Sequence, residues 1–164
     1  MELATTFERL LGYDRWANGE ALASLEALAE PPAKARELLG HLLGAEVCWL
    51  DRMTAGRDPK DWARWEDMDV SSLRRAWQDE LPGRWSAFRA SSGLSEPERA
   101  FSFVDFLGNT GTACVDDVLL TLLLHSAYHR GQVASHVRAA GGTPAVTDFR
   151  HGVRTGAVPA AARR

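Results

Sequence analysis

Five histidines, His41, His125, His129, His136 and His151, are the side chains of this sequence best placed to do chemistry near neutral pH. His125 and His129 are four apart in a run of helix-forming residues. At about 100° per residue, such a pair diverges by about 40° around a helix and by about 6 Å along it, so both imidazoles can reach one point. That spacing is used in many helical metal sites. His41 stands in an earlier apolar stretch, flanked by Leu38, Leu42 and Ala45, which predicts that its ring points into the molecule. Three neutral imidazoles from two helices would hold a divalent ion and leave at least one coordination position open for water or substrate. Zinc, nickel and copper all accept such a donor set. The same spacing also fits three unrelated core histidines, each with its ring nitrogens hydrogen-bonded. His136, seven residues beyond His129, would lie about 10.5 Å further along the axis, too far to share the ion. It is expected to be hydrogen-bonded or partly exposed. His151 falls in a stretch without periodicity and is expected to be solvated.

The elements that must position these rings follow from hydrophobic period. Phe7, Leu10, Leu11, Ala17, Ala21, Leu22, Leu25 and Leu28 recur at helical spacing. Thr5 and Glu8 have the spacing of a capping box, and Pro31-Pro32 ends the run. A second helix is expected from Ala33 to Met53, with Gly56, Asp58 and Pro59 as its terminator. Lys60 to Val70, with Trp62 and Trp65, reads as a loop containing a short helical turn. A third helix, capped by Ser71 or Ser72, carries Leu73, Trp77, Leu81, Trp85 and Phe88, and Pro82 should kink or split it. The period then shortens to two across Phe101 to Phe106, and Gly108-Asn109-Thr110-Gly111 reads as the turn of a small β-hairpin. The last helix is expected from Asp116 or Asp117 to Ala140, ended by Gly141-Gly142. The prediction is all-α: a four-helix bundle with a β-hairpin between helices 3 and 4. Residues 1–150 are expected to form one domain and 151–164 an irregular tail.

Composition narrows the function classes. Of 164 residues, 45% are hydrophobic and 25% charged, an ordinary globular mixture with enough apolar material for a core. A net charge of -3 argues against binding to nucleic-acid phosphates. The first residues carry neither a basic nor an apolar signal region, and the longest apolar stretch, Val118 to Leu124, is too short for a bilayer. Cys48 and Cys114 lack a CxxC spacing and read as free thiols. A cytoplasmic location without membrane attachment is expected. No GxGxxG, Walker, GxSxG or CxxC pattern occurs, so nucleotide-binding and serine-hydrolase readings lack support.

Three stretches carry a resemblance. Tyr13-Asp14-Arg15-Trp16-Ala17-Asn18, then His41-Leu42-Leu43-Gly44-Ala45-Glu46 with Trp49-Leu50, then His125-Ser126-Ala127-Tyr128-His129-Arg130-Gly131-Gln132 resemble the DinB-like (DinB/YfiT) family of metal-dependent enzymes. Gly141-Gly142-Thr143-Pro144 and Thr147-Asp148-Phe149 also fit that family's C-terminal pattern. The resemblance spans residues from about 5 to 150. It implies a four-helix bundle, usually dimeric, with a divalent metal, zinc or nickel, on a histidine triad at the positions His41, His125 and His129. Relatives in this superfamily include thiol S-transferases that use low-molecular-weight thiols and a mycothiol-dependent maleylpyruvate isomerase. The leading expectation is therefore a thiol-dependent transferase acting on a small electrophile, in detoxification or stress response. The alternatives are a non-catalytic metal-binding stress or interaction protein on the same fold, and a plain helical dimer with buried histidines.

Several neighbours of the triad complete the expectation. Arg130 and Gln132 could bind a cosubstrate carboxylate or brace the triad, or be structural, with Arg130 pairing an acid such as Asp14. Glu37 precedes His41 by about one turn on a similar face. Cys48 reads as a small buried hydrophobe. Glu46 lies about 140° around the helix from His41 and is expected in an ion pair or in solvent. Trp62 and Trp65 are candidates for a pocket mouth or an interface, and nothing in the sequence decides between them.

Overall fold

A computed structural model of the chain describes residues 3–59, 65, 68–91 and 93–160. Helix α1 (Leu3–Glu26) buries Phe7, Leu11, Ala17, Ala21, Leu22 and Leu25, a stripe at three- and four-residue intervals. It begins two residues before Thr5, so Thr5 lies inside the helix instead of capping it. Helix α2 (Ala33–Ala55) starts directly after Pro32 and ends at Gly56, whose φ of 71° lies in the left-handed region that glycine enters without strain. Along α2, Leu39, Leu43 and Leu50 are wholly buried.

The third rod is built in pieces. Helix α3 (Val70–Arg75) is capped by Asp69, whose carboxylate accepts from the Ser72 N–H, so the cap is the residue before the two serines expected to provide it. A five-residue π-helical turn, Ala76–Glu80, follows and leads into α4 (Leu81–Ala90). The Leu81 N–H bonds to the Ala76 carbonyl, five residues back. The wider turn sits directly before Pro82, which has no N–H to give and crowds the preceding turn, so the rod continues through the proline.

Strands β1 (Ala100–Val104) and β2 (Thr110–Cys114) pair antiparallel, with Phe101 opposite Ala113 and Phe103 opposite Gly111. The turn lies earlier than the sequence suggests. Asp105 accepts from the Leu107 and Asn109 N–H groups, Gly108 takes φ 85°, and Thr110 and Gly111 already belong to β2. Phe103 meets Trp49 of α2 edge to face, 5.5 Å between ring centroids, which fastens the hairpin to the bundle. Helix α5 (Val115–Ala139) starts at once after β2, with Asp116 and Asp117 in its first turn where the helix dipole favours acids.

The four rods α1, α2, α3–α4 and α5 form the bundle; α5 packs on α2 and α1, and α2 on α4. The stretch after Asp148, expected to be irregular, forms a short helix α6 (Phe149–Thr155) instead. The Asp148 side chain caps it by accepting from the His151 N–H. Tyr13 and Trp16 of α1 receive it: Phe149 meets Tyr13 at 5.0 Å, Gly152 lies against the Trp16 ring, and Val158 is buried. Trp65 is fully buried against Gly44, where a Cβ would stand 3.3 Å from its ring, so it is a core side chain. Trp62 lies outside the described residues. Among the described residues, no helix is long and apolar enough to cross a membrane.

Candidate metal centre

His41 on α2 and His125 and His129 on α5 face one another across the contact between the two helices. His125 Nε2 is 3.0 Å from His41 Nε2 and 2.9 Å from His129 Nε2. The three rings stand nearly perpendicular to one another, with centroids 4.5 to 5.0 Å apart. Two imidazole nitrogens each about 2.0–2.1 Å from a common ion, at about 90°, would be about 2.9 Å apart. The cluster could therefore hold a metal ion.

Three features suit the donors to that use. Burial, reinforced by His129 and His41, pushes the His125 imidazole down to about 4, so its ring is neutral and its lone pair free at neutral pH. The His129 Nδ1 lies 2.7 Å from Gln132 Oε1. An amide oxygen only accepts, so this contact places the proton on Nδ1 and leaves the Nε2 lone pair facing the cluster. His41 is exposed, while His125 and His129 are half-buried, so the cluster opens to solvent beside His41. This corrects the expectation that His41 points into the bundle: Leu38 and Leu42 on either side are buried, and the histidine occupies the rim between them.

Arg130 turns the other way. Its guanidinium is buried, with Nη1 donating to Asp14 Oδ1 at 2.5 Å and Asn18 Oδ1 at 2.8 Å, and Nη2 to the Tyr13 hydroxyl at 3.1 Å. The Tyr13 hydroxyl in turn donates to the Thr147 carbonyl. Asn18 Nδ2 donates to Asp14 Oδ2, and the Trp85 indole N–H donates to Glu46 Oε2 at 3.0 Å. Of the two roles open to Arg130, the pairing with Asp14 is the contact made, and Gln132 contacts a triad ring.

Glu46 is the residue that sequence reasoning misplaced. It is buried, 4% exposed, and among the described residues it pairs directly with no cation. Burial, then the nearby Asp14 charge, pushes its carboxyl up to about 8. Burial also raises Asp14, against the pull of Arg130. With two carboxyls facing one guanidinium, the layer is neutral when Glu46 keeps its proton. Asn18 and Ser126, which hydrogen-bond Asp14, were not singled out from the sequence. Their signal was present as polar residues on the apolar stripes of α1 and α5.

The remaining candidates do not join the cluster. His136 is half-buried, and His151 stacks on Trp16 at 6.3 Å with Nδ1 3.2 Å from Arg154 Nη2. Glu37 pairs with Lys34 at the surface. Cys48 is half-buried and its thiol is pushed up to about 11, chiefly by burial. The family model described as DinB family matches residues 6–155. No curated protein and no solved structure matches the chain.

Proposed function

From its membership of the DinB family, to which this chain belongs over nearly its whole length, we propose that the protein is a metal-dependent transferase whose ion is held by His41, His125 and His129. The observation that carries this reading is the convergence of three Nε2 atoms from two helices at a solvent-open rim. A divalent ion, zinc or nickel, when bound there would lower the pKa of a coordinated thiol enough to give a thiolate at neutral pH.

The chain's own residues do the rest. His125 is kept neutral, and Gln132 fixes the His129 tautomer. Asp14 and Asn18 grip Arg130, the residue after His129, and so hold the register of α5 against α1. Burial pushes the Cys48 thiol up to about 11, so it stays protonated and is not poised as the nucleophile. This supports a low-molecular-weight thiol as cosubstrate and a small electrophile as acceptor. Thiol consumption with monochlorobimane as electrophile tests the reading. Turnover that requires added zinc or nickel and disappears in His129→Ala is expected. Metal bound without thiol consumption would leave the non-catalytic alternative, a metal-binding stress or interaction protein.

A further inference from the structure

The outer face of α5, opposite its buried stripe, leaves three large apolar side chains uncovered. Leu120 is 46%, Leu124 70% and Tyr128 66% exposed, each one turn from the next, and an exposed apolar patch of this kind marks an interaction surface. Charge bounds the face at both ends. Asp117 and Arg138 are exposed, and no exposed residue of α5 between them is charged. Neither makes an ion pair among the described residues. At 1.5 Å per residue the two charges stand about 30 Å apart along the axis. Asp117, Leu124, Gly131 and Arg138 follow one another at intervals of seven, the period at which one helix tracks a second along a seam.

Turned end to end, this face is complementary to itself. In an antiparallel pair with its two-fold axis between Ala127 and Tyr128, Asp117 of each copy stands opposite Arg138 of the other. The same register sets Leu124 opposite Gly131, Leu120 opposite Ser135 and Tyr128 opposite Ala127, so each large side chain faces a small one. Gly131 lies inside α5, where glycine weakens a helix, and a Cβ there would meet nothing within 4 Å. Packing within the chain does not call for this glycine, whereas room for a leucine of a second copy does. A parallel pair would instead set Asp117 against Asp117 and Leu124 against Leu124, and would align the two helix dipoles. The charges therefore choose the antiparallel direction.

We propose that a second copy of this chain docks on the outer face of α5, antiparallel, with Asp117 of each copy paired to Arg138 of the other. Face, direction and register are thereby specified, which a dimer by itself leaves open. The Tyr128 ring on this face lies 5.1 Å from the His129 ring, so the contact runs alongside the histidine cluster without including it. Sedimentation equilibrium of the full chain at micromolar concentration is the test, with the helical spectrum of each variant recorded beside it. The native chain is expected at twice 18.0 kDa and Leu124→Arg at 18.0 kDa, with its helical spectrum unchanged because Leu124 is mostly exposed in one copy. Asp117→Arg sets like charges together at both ends and is expected to weaken the dimer about tenfold. Adding Arg138→Asp to it exchanges the charges and is expected to restore the native dissociation constant. A native chain that sediments as a monomer overturns the proposal. Leu124→Arg that stays dimeric overturns it too, since the second copy would then dock on another face. So does a double charge exchange that dimerises no more tightly than Asp117→Arg alone, which would refute the register.

Discussion

Glu46→Gln removes a carboxyl that the bundle interior holds protonated well above its ordinary range. The folded chain holds this proton up to about pH 8, whereas the ordinary value is 4.5. Between those two values the folded state binds more protons than the unfolded state, so stability falls as pH rises through the window. One proton is worth about 1.4 kcal/mol per pH unit, so going from pH 6 to pH 8 costs the native chain about 2 kcal/mol through this group alone. Glutamine keeps an oxygen for the Trp85 N–H and has nothing to ionise. Urea unfolding of both proteins at pH 6 and pH 8 reads the difference directly. The variant is expected to hold its midpoint relative to the native chain and to be the more stable of the two at pH 8. Because the histidines are common to both, their titration cancels in the comparison. Parallel pH profiles for the two proteins would refute the assignment of the buried proton to Glu46.

Other consequences are open to direct test. Arg130→Ala leaves Asp14 buried without its cationic partner, so a loss of about 3–5 kcal/mol is expected in chemical denaturation, and Asp14→Ala should cost a similar amount. Gln132→Ala frees the His129 tautomer and is expected to weaken metal binding about 10–100-fold in a competition titration, with little change in melting temperature. Light scattering is expected to give twice the chain mass of 18.0 kDa, as the family resemblance implies, and a particle of 18.0 kDa at micromolar concentration would contradict the homodimer.

The rods were legible because burial of an amphipathic stripe is a strong, repeated signal: Phe7 to Leu25, Leu38 to Met53 and Val118 to Val137 each mark a face that becomes core. The i, i+4 pair on α5 was legible for the same geometric reason. The orientation of α2 was harder. A regular helix puts about 140° between His41 and Glu46, but leucines flank His41 closely enough to make its side appear internal. In the folded bundle, Glu46 lies on the inner side with Leu39, Leu43 and Leu50, and His41 takes the rim. A carboxyl at a core position looks like an error in a pattern until its partners on α1, α4 and α5 are known, and these are distant in sequence. Helix α6 was missed because seven residues give too short a periodic signal, and what holds it is the aromatic shelf of Tyr13 and Trp16, more than 130 residues away in the chain. The displaced hairpin turn has a local cause, since Asp105 gathers the N–H groups of Leu107 and Asn109 and closes the loop before Thr110.

Metal stoichiometry is the most direct test of the central claim, measured by elemental analysis on untagged protein beside His41→Ala and His129→Ala. About one zinc or nickel per chain, lost in both variants while each keeps its helical spectrum, is the predicted result. Native protein that carries no metal and takes none up on dialysis, or variants that retain the full complement, would contradict the assignment of the three histidines.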